Sequence, residues 1–224
     1  MIMVQLIATV LMIFALATGT ATADTPKVLS WESLVPKSEP LRHPFRELSP
    51  DIRYDLEYLA SIRYWKRTGQ ITKDDKEFAL SKTISATLTE KNVNIEPLLK
   101  TFDDFVAEVE MRNKAVVPEL NGQLVRIPGY ALPLELDDTS LKEFLLVPNV
   151  GACIHTPPPP ANQMVFVKLV NSYTPKEIYE PVWITGRMWL QKTSRNVNYS
   201  DGQTAAEAAY TLEGITIEPY DQRR

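Results

Sequence analysis

The stretch VWITGRMWL, from Val182 to Leu190, predicts a β-strand because its side chains alternate between two faces. From Val116 onward the same period of two recurs in other segments that are rich in Val, Ile, Leu and aromatic residues. These segments are 123–127, 130–134, 144–147, 164–170 and 210–217, with a predicted break at Pro128-Gly129. Only 137–142 and 200–209 are compatible with additional short helices. Residues 115–224 are therefore expected to form a small antiparallel β-barrel, OB-like in topology, with a sandwich as the alternative.

Residues 49–114 follow the helical period instead and predict three amphipathic helices. Ser49 followed by Pro50 is typical of a helix start, and Asn94 is a second candidate N-cap. The first helix is rich in aromatic residues, which are expected to pack on a sheet rather than to form a ligand platform. These residues are Tyr54, Tyr58, Tyr64 and Trp65. Helical and β segments together predict an α+β chain, with a three-helix segment before the barrel.

Residues 1–23 have the features of a secretory signal peptide. They carry no charged side chain, and the apolar run from Leu6 to Leu16 precedes the small residues Ala21 and Ala23. The apolar stretch spans about 16 residues, fewer than the roughly 20 that cross a bilayer, although an uncleaved anchor is the alternative. We expect cleavage after Ala23, a periplasmic or secreted product, and no transmembrane segment in the mature chain. Residues 24–48 then form a proline-rich, extended arm, expected to pack on the surface.

Composition excludes several classes of function. The 224 residues include 24 Lys and Arg against 28 Asp and Glu, a net charge of −4 at pH 7. This balance provides no basic surface for nucleic acid, so no nucleic-acid partner is expected. The single cysteine excludes an intramolecular disulfide framework. The two histidines are too few for a multi-histidine metal site.

One segment differs from ordinary barrel connections. The four consecutive residues Pro157, Pro158, Pro159 and Pro160 require polyproline II geometry and remove four backbone donors. Cys153 and His155 precede them, and in an extended chain these two side chains share one face. Asn162 and Gln163 follow, and their side chains are expected to support the ligand residues or to hold the loop. A stiff connector flanked by a thiol, an imidazole and two carboxamides predicts a preorganised binding site.

The same segment, GACIH followed by four prolines and Asn162-Gln163, resembles the signature of a bacterial family of small exported proteins of unknown function. Three other stretches also resemble that family: 31–36 (WESLVP), 122–135 and 181–186 (PVWITG). The resemblance implies no assigned reaction. It does imply that some members are associated with ABC-type transporter components and, less directly, with metal uptake.

These observations leave three hypotheses for function. The first is an exported, non-catalytic accessory or binding protein of an envelope, ABC-type transport system, with the Cys153–Pro160 loop as its contact. The second is a periplasmic zinc- or copper-handling protein with Cys153 and His155 as ligands. Because zinc prefers four ligands, this reading needs oxygen donors such as Glu135, Asp137 or Asp138, the imidazole of His43, or a second chain.

The third hypothesis is a thiol-dependent enzyme, with Cys153 as nucleophile and His155 as base. Same-face residues two apart on a strand lie about 6 to 7 Å apart along the backbone, which is long for direct proton transfer. We therefore assign no catalytic residue and favour the binding protein.

Overall fold

The computed structural model describes residues 24–134, 140–149, 159–177, 179–199 and 202–220. Over these ranges the chain combines three helices with a closed five-stranded barrel, so the predicted mixture of helices and a β-barrel is confirmed. The helices are α1 (Pro50–Arg67), α2 (Lys76–Glu90) and α3 (Ile95–Lys114). The strands are β1 (Lys27–Val28), β2 (Leu124–Pro133), β3 (Leu141–Val147), β4 (Val165–Tyr173), β5 (Pro181–Trp189), β6 (Thr193–Tyr199), β7 (Gly202–Ala208) and β8 (Tyr210–Pro219).

The described strands close the barrel in the order β2-β3-β4-β8-β5, with β5 pairing back onto β2. Four of these five pairings are antiparallel, but β4 and β8 run parallel, from Val165↔Tyr210 to Leu169↔Gly214. The expectation of a wholly antiparallel barrel is therefore wrong at this pairing. A period of two is the same in both orientations, so the pattern carries no information on strand direction.

Alternation along the strands places one set of side chains inside the barrel. Val125 and Ile127 of β2, Ile184 of β5 and Leu212 of β8 are completely buried in the largest apolar cluster. On β2 and β5 the residues next to these buried ones point outward and are partly exposed. Burial of this inner set is what makes the alternating pattern a reliable strand signal.

The predicted break at Pro128-Gly129 is wrong, because β2 continues through both residues. Pro128 lies opposite Trp183 of β5. On its other edge, among the described strands, β2 pairs with β1 up to Arg126 and with β3 only from Tyr130 onward. A residue without an amide proton is tolerated at this unpaired position of the edge.

Residues 202–208 form a strand and not the short helix that 200–209 suggested. The alanine-rich sequence favours a helix locally, but β7 pairs with β6 over the register Thr193↔Ala208 to Tyr199↔Gly202. Ala206 and Ala208 are buried in a second apolar cluster with Leu145 and Phe166. The β6–β7 hairpin thus covers the outer face of β3 and β4, and tertiary packing overrides local propensity.

The helices form a third apolar cluster of their own around Leu56, Leu88 and Leu99. Phe45 of the arm is completely buried in this cluster, whereas Leu34 of the arm is completely buried in the barrel core. The expectation that α1 packs on a sheet is wrong, since its buried residues contact α2 and α3. Tyr54 and Tyr64 remain 69% and 50% exposed.

Within the described ranges, α1, α2 and α3 all fall short of the length and hydropathy that a membrane-crossing helix requires.

Candidate functional site

The structure describes part of the predicted site. Cys153, His155, Pro157 and Pro158 lie outside the described residues. The segment that contains them leaves the described chain at Asn149 and returns at Pro159.

The returning end is held by a 3₁₀ turn, Ala161–Gln163, which we call the anchor turn. Asn162 is only 2% exposed. Its Nδ2 donates hydrogen bonds to the carbonyls of Arg112 at 2.7 Å and Ala115 at 3.0 Å. Both carbonyls lie at the C-terminal end of α3, where the regular helical hydrogen bonds end, and that of Arg112 also accepts from the backbone N–H of Ala115 at 3.2 Å. Asn162 therefore caps α3 and joins the helices to the barrel.

Gln163 contacts the arm instead. Its Nε2 donates to the carbonyl of Trp31 at 3.0 Å and to that of Asn162 at 3.1 Å. The carbonyl of Ala161 accepts a hydrogen bond from the backbone N–H of Ala209 at 2.8 Å. The anchor turn is thus bonded to the helices, the arm and the chain that enters β8, and it fixes the residues that follow Pro160.

A buried tyrosine that sequence reasoning missed lies close to this junction. The hydroxyl of Tyr210 donates to the carbonyl of Leu34 at 2.7 Å and accepts from the backbone N–H of Val117 at 2.8 Å. Burial raises the pKa of this hydroxyl. Tyr210 therefore links the arm to the segment between α3 and β2. The alternating pattern of its strand does not indicate which distant backbone groups its hydroxyl will bond.

At the departing end, Pro148 and Asn149 form one wall of a cleft of about 250 Å³, the aromatic cleft. The other lining residues come from the arm, from β2, from the start of β5 and from the end of the described chain. They are Trp31, Pro128, Gly129, Tyr130, Pro181 and Tyr220. The sequence pattern did not reveal this cleft, because its lining residues are distant in the chain.

Trp31 is held rigidly in this cleft. Its Nε1 donates to the carbonyl of Pro128 at 2.9 Å. A Cβ atom at Gly129 would approach Trp31 Cζ2 to 2.9 Å and the carbonyl of Val147 to 2.9 Å, closer than real contacts allow. Gly129 is therefore required so that the indole can lie against β2.

Within the described ranges, no group of three or more His, Cys, Asp or Glu could hold a metal ion by itself. His43 Nδ1 accepts from the N–H of Phe45 at 3.2 Å, and Nε2 lies 3.6 Å from Glu57 Oε1. The ring also packs edge-on against Phe45, Phe102 and Phe105. His43 therefore packs against the edge of the helical cluster, with its side chain 35% exposed. Glu135, Asp137 and Asp138 lie outside the described residues.

Comparison with known proteins identifies the family. No curated protein matches the chain. The crystal structure of a DUF3299 family protein, PA4066 from Pseudomonas aeruginosa PAO1, is similar over 89% of this chain and 99% of that chain, with 24% identity and a TM-score of 0.47. The family model described as protein of unknown function, DUF3299, matches residues 31–219. That match spans the arm, the helices and the barrel, and the chain belongs to the DUF3299 family, as the resemblance to a family of unknown function predicted.

Proposed function

We propose that this chain is an exported, non-catalytic binding protein that serves an envelope transport system of the ABC type, with the Cys153–Pro160 segment as its contact. The observation that carries the proposal is the anchor turn. Asn162 and Gln163 tie the end of the segment to the helices and the arm. A stiff segment with a fixed end loses little conformational freedom on docking, so little of the interaction energy is lost to ordering.

The proposed localisation follows from residues 1–23 alone. Their apolar core and small residues before Asp24 are typical of a cleaved signal peptide. Amino-terminal sequencing of the protein recovered from an envelope fraction tests this part, and Asp24 is the expected first residue.

An OB-like topology is also part of the proposal. The barrel order β2-β3-β4-β8-β5, with the third and fifth barrel strands parallel, supports it. In OB barrels the ligand usually contacts the face of the second and third strands. In this chain the outer face of β3 and β4 is covered by the β6–β7 hairpin, so the contact is expected at the connecting segment.

The test is capture of transporter components from a solubilised membrane fraction on the immobilised mature protein, with identification by mass spectrometry. The expected result is enrichment by the wild-type protein and loss when Pro157, Pro158, Pro159 and Pro160 are all replaced by alanine. Pro40→Ala, at an exposed position of the arm, is the matched control and should retain capture. Equal capture by the wild-type protein and the tetra-alanine variant would show that the proline segment is not the contact.

Zinc or copper handling is the second proposal, because Cys153 and His155 are the soft ligands of the segment. Metal analysis of the purified protein tests it, with the variant Cys153→Ser/His155→Ala as comparison. The metal proposal expects bound zinc or copper in the wild-type protein and much less in the variant. Equal metal content in both proteins rejects it and leaves the transport proposal untouched.

A further inference from the structure

The outer face formed by β2, β5 and the end of β8 carries an aromatic strip that is continuous with the aromatic cleft. Trp183 lies between Pro128 of β2 and Glu218 of β8 in the strand register, and Tyr130 lies opposite Pro181. These outward side chains alternate with buried ones and keep part of their surface exposed. Tyr and Trp are enriched at binding interfaces, because each side chain combines an apolar ring with a polar group.

The rings of this strip are held in place by neighbouring groups. Tyr220 meets Trp183 edge-on, with ring centroids 5.3 Å apart and planes at 86°. The guanidinium of Arg126 lies 4.6 Å from the centroid of Trp183 and donates to Glu218 Oε2 at 2.8 Å. Trp31, at the other wall, is fixed by its bond to Pro128. A ligand entering the cleft therefore meets ring positions that are already ordered, which lowers the entropic cost of binding.

The polar groups around the cleft limit the class of ligand. The lining contains no lysine or arginine, and the charge of nearby Arg126 is balanced by Glu218. A nucleotide or another multiply charged anion would find no compensating cation among these groups. Pro128, Pro148 and Pro181 lack amide protons, so these walls offer few donors to an added peptide strand.

A neutral sugar fits these constraints. The C–H face of a pyranose packs on aromatic rings, and its hydroxyl groups pair with amide, phenol and guanidinium–carboxylate groups. The cleft provides the rings of Trp31, Tyr130 and Tyr220 and the exposed carboxamide of Asn149. Its volume of about 250 Å³ is slightly below the range of about 300 to 1,000 Å³ for drug-sized ligands, which suits a single sugar ring.

We propose that the aromatic cleft binds one ring of a neutral oligosaccharide, and that the next sugar unit reaches the Arg126–Glu218 pair across Trp183. The side chains of this pair are 35% and 58% exposed, so their remaining donors and acceptors are accessible. The inference goes beyond the proposed transport role, because it depends on the barrel face and not on Cys153 or His155.

The experiment is calorimetric titration of the full mature protein with chitohexaose and, separately, with cellohexaose. At least one hexasaccharide should bind, and Tyr220→Ala and Asn149→Ala should each weaken its affinity by about tenfold. Tyr64→Ala, which removes an aromatic ring that is 50% exposed on α1, is the matched control and should bind as the wild type does. Circular dichroism and the urea midpoint verify that each variant is folded.

Three results would overturn the inference. The first is that neither hexasaccharide gives a detectable heat of binding at concentrations up to about 10 mM. A dissociation constant above that value is too weak for specific binding. The second is unchanged affinity in folded Tyr220→Ala and Asn149→Ala proteins. The third is saturable binding of decaproline, with no binding of either hexasaccharide, which would assign the cleft to a proline-rich peptide.

Discussion

The β6–β7 hairpin covers an outer face formed by β3, β4 and the end of β2, whereas the outer face of β5 and the first part of β2 keeps Trp183 partly exposed. Both faces lie over the same barrel core. On the covered face, Leu145 and Phe166 are almost completely buried against small alanines. On the other face, Trp183 is partly exposed and contacts Tyr220 and Arg126. The first face therefore contributes stability, and the second leaves an aromatic ring accessible to solvent.

Truncating one aromatic ring on each face should have very different effects. Phe166→Ala deletes a completely buried ring and should lower the free energy of unfolding by about 3 to 5 kcal/mol. Trp183→Ala removes a partly exposed ring and should cost about 1 kcal/mol, near the centre of the distribution for point mutants. Urea denaturation of both variants provides the measurement. Equal losses would show that the two faces do not differ as described.

Gly129→Ala tests the close approach of the arm to β2 at a buried position that faces the core residue Leu146. The added Cβ would lie 2.8 Å from Leu146 Cγ and 2.9 Å from the carbonyl of Val147. Overpacking of this kind typically costs about 1 to 3 kcal/mol, and Trp31 should be displaced from its bond to Pro128. A lower urea midpoint and a shifted tryptophan emission are expected. An unchanged midpoint and emission would contradict the seating of Trp31 on Gly129.

Asn162→Ala tests the junction at which the anchor turn joins the helices to the barrel. The substitution removes the Nδ2 donor from the carbonyls of Arg112 and Ala115, of which Arg112 keeps the backbone N–H of Ala115. This loss should cost about 1 to 3 kcal/mol. Hydrogen exchange at the end of α3 should accelerate, while exchange in the middle of the barrel strands should change little. Uniform acceleration across the barrel would mean that Asn162 supports more than the helix end.

The smallest expected effect on stability is that of titrating Tyr173 at alkaline pH. Burial and the hydrogen bond from its hydroxyl to Glu180 Oε2 at 2.8 Å raise the pKa of Tyr173 to about 12. In the unfolded chain the pKa of a tyrosine is about 10. The contribution of protonated Tyr173 to the free energy of unfolding is therefore complete below about pH 10 and is lost as the pH rises toward 12. Ultraviolet absorbance of tyrosinate should show a late step that loses amplitude in Tyr173→Phe. The exposed control Tyr54→Phe should leave that step intact.

Sequence patterns identify the parts of this fold that depend on local spacing. Helical periodicity over residues 49–114 and the alternation of Val182–Leu190 report which residues face a core, and burial in the structure follows them. Local spacing carries no information on the parallel pairing of β4 with β8 or on the partner that covers Phe166. Those features depend on contacts between residues far apart in the chain.

The same limit applies to the candidate site. The sequence predicts that Asn162 and Gln163 hold the loop, because their carboxamide side chains can form hydrogen bonds. Their actual acceptors, the carbonyls of Arg112, Ala115 and Trp31, are distant in sequence. The cleft walls are likewise assembled from separate elements. The Cys153–His155 pair stays a prediction, because both residues lie outside the described ranges.

In-cell photo-crosslinking tests the proposed contact most directly. A photoreactive amino acid is placed either at Thr156, within the Cys153–Pro160 segment, or at Ile215, which is 56% exposed on β8. The proposal predicts that position 156 crosslinks to a component of an ABC-type transporter and that position 215 does not. Crosslinks of equal yield from both positions, or from Ile215 alone, would contradict it.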